Sequence, residues 1–145
     1  MTPEALFTLA GTLVLPGWAI LILAPRRWPA LNAVPALVIP LLLSAGYAAL
    51  IMRFFAGAGG GFGSLAQVRA LMADDGMLLA GWVHYLAFDL IAGSLAAAAL
   101  DRAGASRLIQ APILITTFLF GPLGWLLAML VTGGLAAAPR GEITP

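Results

Sequence analysis

In the stretch GWVHYLAFDL, residues 81–90, one histidine and one aspartate stand in a run that is otherwise apolar or aromatic. His84 and Asp89 are two titratable groups on one segment, and a pair held in unlike surroundings can serve as base and acid in proton transfer. Tyr85, four residues before Asp89, can hydrogen-bond to it along a helix. Plainer roles fit the same residues. His84 can be a core histidine bonded to a backbone carbonyl, Asp89 a polar clasp between helices, and Trp82, Tyr85 and Tyr47 packing groups. A metal is not expected. His84 and Asp89 lie roughly 140° apart around a helix, whereas a two-ligand clamp uses i, i+3 or i, i+4 spacing. The chain has one histidine and no cysteine to complete such a site.

The elements that carry these groups are set by composition. The chain of 145 residues is 62% hydrophobic and only 9% charged, too little polar surface to cover a water-soluble fold. The expectation is an all-α integral membrane bundle in a single domain, with a lipid bilayer as its environment. All basic residues are arginine, the net charge is +1, and no basic stripe exists, so nucleic acid is excluded as a partner. Without cysteine, neither a disulfide framework nor the redox compartment can be read.

A spanning helix needs about 20 apolar residues to cross a hydrocarbon core about 30 Å thick. Four segments qualify, at about 5–24, 34–52, 76–100 and 108–131, followed by a short Gly/Pro-rich tail over 132–145. The first lacks a positive leader and its arginines follow it, so it reads as a retained span. Pro16 and Pro40 predict bends in spans one and two. The loop 53–75 opens on AGAGGGFGS, and its LAQVRALM portion suits either a short interfacial helix or a flexible linker. Arg26, Arg27, Arg102 and Arg107 fall on one side, against Arg53, Arg69 and Arg140 on the other, which puts both termini outside. No repeat relates the two halves, which argues against a complete inverted-repeat transporter.

Asp75 and Asp101 bracket span three, so Asp89 falls at mid-membrane and must be protonated, paired or turned into the bundle. On a helical wheel Gly81, Trp82, Tyr85, Phe88, Asp89, Ala92, Ala96 and Ala99 form one stripe of small and aromatic residues, suited to a packed neighbour. In span four, Thr117, Gly121, Gly124 and Ala128 form a narrow small-residue seam. Pro122 removes a donor near the bilayer centre, so a kink that lines a cavity, or a plain bend, is expected there.

The pattern Trp82-x-His84-Tyr85-x-x-Phe88-Asp89-x-x-x-Gly93, with Pro112-x-Leu114-x-x-Thr117-Phe118-x-x-Gly121-Pro122-x-Gly124 downstream, resembles the abscisic-acid-deficient-4-like family of small integral membrane proteins. LAPRRW and GFGSLAQVRALM extend the likeness along the whole length. The family often has arginine after the glycine at 93, where this chain has Ser94. If that arginine is a counterion for the aspartate, Asp89 lacks one here.

The resemblance implies a lipophilic isoprenoid ligand, a carotenoid or xanthophyll. Plant members are required to form neoxanthin from violaxanthin, a reaction that opens an epoxide and forms an allene. The Lys-free composition resembles that of a GC-rich bacterium, where that substrate does not follow, and implies the bacterial inner membrane. An isomerase of this kind would use His84 as base and Asp89, supported by Tyr85, as acid, without a cofactor. Trp82, Phe88, Tyr47, Thr117, Phe118, Gly121 and Pro122 would line the substrate. A non-catalytic carotenoid-binding or assembly factor, and a proton-coupled carrier, stay open as alternatives. A homo-oligomer or a complex with other membrane enzymes is compatible with each.

Overall fold

The structure is a computed structural model and describes residues 1–137. Arg140 and the end of the expected tail lie outside the described residues. Every regular element among them is helical. The helices are α1 (Pro3–Leu23), α2 (Pro29–Phe54), α3 (Leu65–Leu71), α4 (Asp75–Arg102) and α5 (Arg107–Ala137), and all but α3 are long and apolar enough to cross a membrane.

Local chemistry explains the ends. The Thr2 hydroxyl accepts from the Ala5 amide at 3.2 Å and Pro3 occupies the first turn of α1, which stops where Ala24, preceding Pro25, becomes extended. Asp74 caps α4 by accepting from the Met77 amide at 3.0 Å. At the other end of α4, Gly104 adopts a φ of 74° and the Ala105 amide reaches back to the Leu100 carbonyl at 3.0 Å, a glycine C-cap. The LAQVRALM segment does contain a helix, α3. It starts with a reciprocal cap in which Ser64 accepts from the Gln67 amide while the Gln67 side chain accepts from the Gly63 amide.

The two prolines expected to bend their helices behave differently. Pro16 lies inside an uninterrupted α1. In α2 the chain widens into a π turn over Val34–Val38, where the Ile39 amide bonds to the Val34 carbonyl. The amide that would next serve Pro35 in this wider pattern belongs to Pro40, which has no N–H. The Ser94 hydroxyl of α4 supplies the missing donor to the Pro35 carbonyl at 3.3 Å.

Helix α4 is the hub and packs against α1, α2 and α5. Hydrocarbon tails are as apolar as leucine, so in a bilayer such contacts hold by close fit rather than by exclusion of water. Gly93 admits the Trp18 indole and Gly76 the Phe54 ring, and a side chain at either glycine would collide with them. The packed stripe expected on α4 is only partly realised. Asp89 and Ala96 are buried, but Trp82 and Phe88 are exposed, because the neighbouring helices cover the adjacent face through Val83, Leu86, Ala87, Leu90 and Ala97.

One end of the bundle is tied by polar groups. Arg26 Nε meets Asp101 Oδ2 at 2.9 Å, Gln110 Nε2 donates to Asp101 Oδ1 at 2.6 Å, and Arg107 donates to Gln110 and to the terminal carbonyls of α1. Arg26, Arg27, Arg102 and Arg107 therefore share one end, as the sequence suggests.

Candidate functional site

Asp89 sits midway along α4 and is only 8% exposed. Its carboxyl lies against the backbone of α5 at Gly121, where any side chain would overlap Oδ1. Among the described residues Oδ2 is buried without a hydrogen-bond partner. A buried polar atom left unpaired in an apolar site is costly, which sets this carboxyl apart from the apolar groups around it.

The α5 backbone is broken beside it. Phe120 has φ −143° and ψ 47°, outside the helical region, one residue before Gly121-Pro122. The break is far sharper than a proline bend. A side chain on Gly124 would overlap the backbone of Thr117, seven residues earlier. Tyr85, on α4, donates its hydroxyl to the Leu119 carbonyl at 3.1 Å, satisfying an acceptor exposed at the break. Its hydroxyl thus goes to the broken backbone, while the Tyr85 side chain remains beside Asp89.

A groove of about 460 Å³ opens laterally at this point, lined by Phe88, Asp89, Ala92, Leu95, Gly121 and Trp125 among others. Its walls are apolar and aromatic with a single carboxyl. Phe88, Gly121 and Pro122, expected at a substrate surface, all border it. Trp125 and Leu95 join it without any mark in the quoted sequence pattern, and Ala92 lines the groove instead of packing under a neighbouring helix. The spacing of Trp125, four after Gly121, could have pointed to it.

Other anticipated residues lie elsewhere. His84 is exposed, with its ring 4.5 Å from that of Phe88 and 5.5 Å from that of Tyr47. It borders a separate recess of about 200 Å³ with Tyr47, Phe62, Leu71 and Met72. Phe88 belongs to both surroundings, stacked on His84 and bordering the Asp89 groove. Trp82 meets the tilted ring of Phe7 at 5.2 Å and stacks on Tyr85 at 5.4 Å. Thr117 is fully buried and bonds to the Ile113 carbonyl at 2.8 Å. Phe118 packs on Trp18 at 5.4 Å. No group of three or more metal-ligating side chains gathers among the described residues.

The family model described as ABA DEFICIENT 4-like matches residues 5–127. The chain belongs to that family. No curated protein and no solved structure shows significant similarity to it. In this ABA DEFICIENT 4-like protein the two halves of the quoted pattern meet at one place, with Asp89 and Tyr85 of the first half against Gly121 and Leu119 of the second. Ser94, where the resemblance implies arginine, faces the π turn of α2 through its bond to Pro35. A longer side chain at 94 would start toward α2, so a counterion role for it at Asp89 gains no support from this geometry.

Proposed function

We propose that this membrane protein binds a carotenoid or related lipophilic isoprenoid in the groove at Asp89 and isomerises it by acid/base chemistry. The observation that carries this reading is the carboxyl of Asp89, its Oδ2 buried without a partner, at the edge of an apolar groove. An oxygen-bearing end group on an otherwise hydrocarbon ligand would meet the carboxyl among these lining residues, while the aromatic walls take the chain.

With the proton on Asp89, the reaction balances on one carboxyl. The acid gives its proton to an epoxide oxygen as the carbon–oxygen bond breaks. The resulting carboxylate removes a proton from the neighbouring carbon as the new double bond forms, and Asp89 regains its proton. No oxidant or reductant enters. Tyr85 positions the broken α5 backbone beside the carboxyl. His84, in its own recess, contributes an aromatic contact through Phe88 rather than a share in the proton transfer.

By the positive-inside tendency the end bearing Arg26, Arg27, Arg102 and Arg107 faces the cytoplasm of a bacterial inner membrane, and the N-terminus faces outward. To test the function, the protein and Asp89→Asn are expressed in a bacterium that makes epoxidised carotenoids, and pigments are compared. A new isomeric pigment that disappears with Asp89→Asn supports the reading. Unchanged pigments that nevertheless co-purify with both proteins would favour a binding or assembly role instead.

A further inference from the structure

The fourth apolar segment has the length of a spanning helix but not the shape of one. As a straight helix its 31 residues would extend about 46 Å, well beyond a core of roughly 30 Å. Residues seven apart would then be separated by about 10 Å along the axis, yet Thr117 and Gly124 are in direct backbone contact. Only a reversal of direction at Phe120 allows this.

The neighbours on α4 give the same answer. Approaching the break, Gln110 bonds to Asp101, at the arginine-rich end of α4, and Leu119 then meets Tyr85. Beyond it, Gly121 lies against Asp89, and Trp125 borders the groove with Ala92 and Leu95. The first limb therefore runs toward the middle of α4, and the second runs back along it. The opposite half of α4 agrees, since Leu78 is 55% exposed and Trp82 38% exposed, and the hollows beside them involve only α1, α4 and Met72.

We infer that α5 is a re-entrant hairpin that enters from the arginine-rich face, turns at mid-membrane beside Asp89 and leaves by the same face. The limbs, over 107–119 and 121–137, extend roughly 20 and 25 Å, each enough to link the bilayer centre to one surface. The reversed backbone is held at this depth by Tyr85 and by contact with α4, the condition under which non-spanning backbone is tolerated in a membrane. The polypeptide then crosses three times. Ala136 lies on the same side as Ala103 and opposite Gly59, instead of both ends of the chain facing outward.

The inference does not depend on any activity, and the lack of native cysteine makes it directly testable. Single variants Gly59→Cys, Ala103→Cys and Ala136→Cys are placed in sealed vesicles of uniform orientation and treated with a membrane-impermeant maleimide. The hairpin requires position 136 to react from the same side as 103; reaction from the side of 59 overturns it. Spin-label distances on the double variants 103/136 and 59/136 give a second reading if a site resists labelling. The hairpin makes the 103/136 distance the shorter of the two, and a through-going helix makes it the longer.

Discussion

The carboxyl of Asp89 fills the space that a side chain at Gly121 would occupy, so the acid of one helix and the missing side chain of another form a single fitted contact. Glycine here serves close approach rather than turn geometry. Gly121→Ala must push the carboxyl or the α5 backbone aside. The expected loss is about 1–3 kcal/mol, read as a lower unfolding midpoint in detergent. Combining it with Asp89→Ala should return part of that loss, and additive effects in the double-mutant cycle would argue against direct contact.

Gly124→Ala tests the contact between the limbs of α5. The new methyl meets the Thr117 backbone, which cannot move aside as a flexible side chain would. Destabilisation of about 1–3 kcal/mol is expected. Gly11→Ala serves as the comparison, since nothing lies within 4 Å of a side chain there. Helix propensity alone predicts a gain of up to about 1 kcal/mol for it.

Tyr85→Phe keeps the ring against Trp82 but removes the donor to the Leu119 carbonyl. A lost hydrogen bond with its acceptor left in an apolar site costs about 1–3 kcal/mol. Amide hydrogen exchange should quicken around residues 118–124 before it does in α1. Equal protection in wild type and variant would mean that the tyrosine does not hold the break.

Gln110, 1% exposed, joins Asp101, Arg107 and the Ala105 carbonyl. Gln110→Leu leaves several of these groups without partners, and a loss of about 1–3 kcal/mol follows. The partly exposed Arg26–Asp101 pair contributes less, under about 1 kcal/mol. Arg26→Gln should therefore unfold closer to wild type than Gln110→Leu does.

Hydropathy made the long helices legible, and Ser64 and Gln67 made the start of α3 legible in retrospect. The wheel separation of His84 from Asp89 was also readable, and the two side chains do sit in different recesses. The neighbour covering each face of α4 was not readable, because in a membrane both packed and lipid-facing surfaces are apolar. The same ambiguity hides the reversal in α5. A hairpin tip buried in hydrocarbon uses Leu, Phe and Gly as a crossing helix does, and only Pro122 with Gly121 and Gly124 hints at it. Ser94 could not be interpreted until the π turn gave it an acceptor.

The ties among Arg26, Asp101, Arg107 and Gln110 join α1, α4 and α5 at one pole, whereas among the described residues no side-chain hydrogen bond links different helices at the other. Such a body works like tweezers, riveted at the handle and free at the points. Thermal breathing should spread the Phe7 and Trp82 region while the rivet stays shut, so motion at one pole leaves the ionic fastening at the other intact.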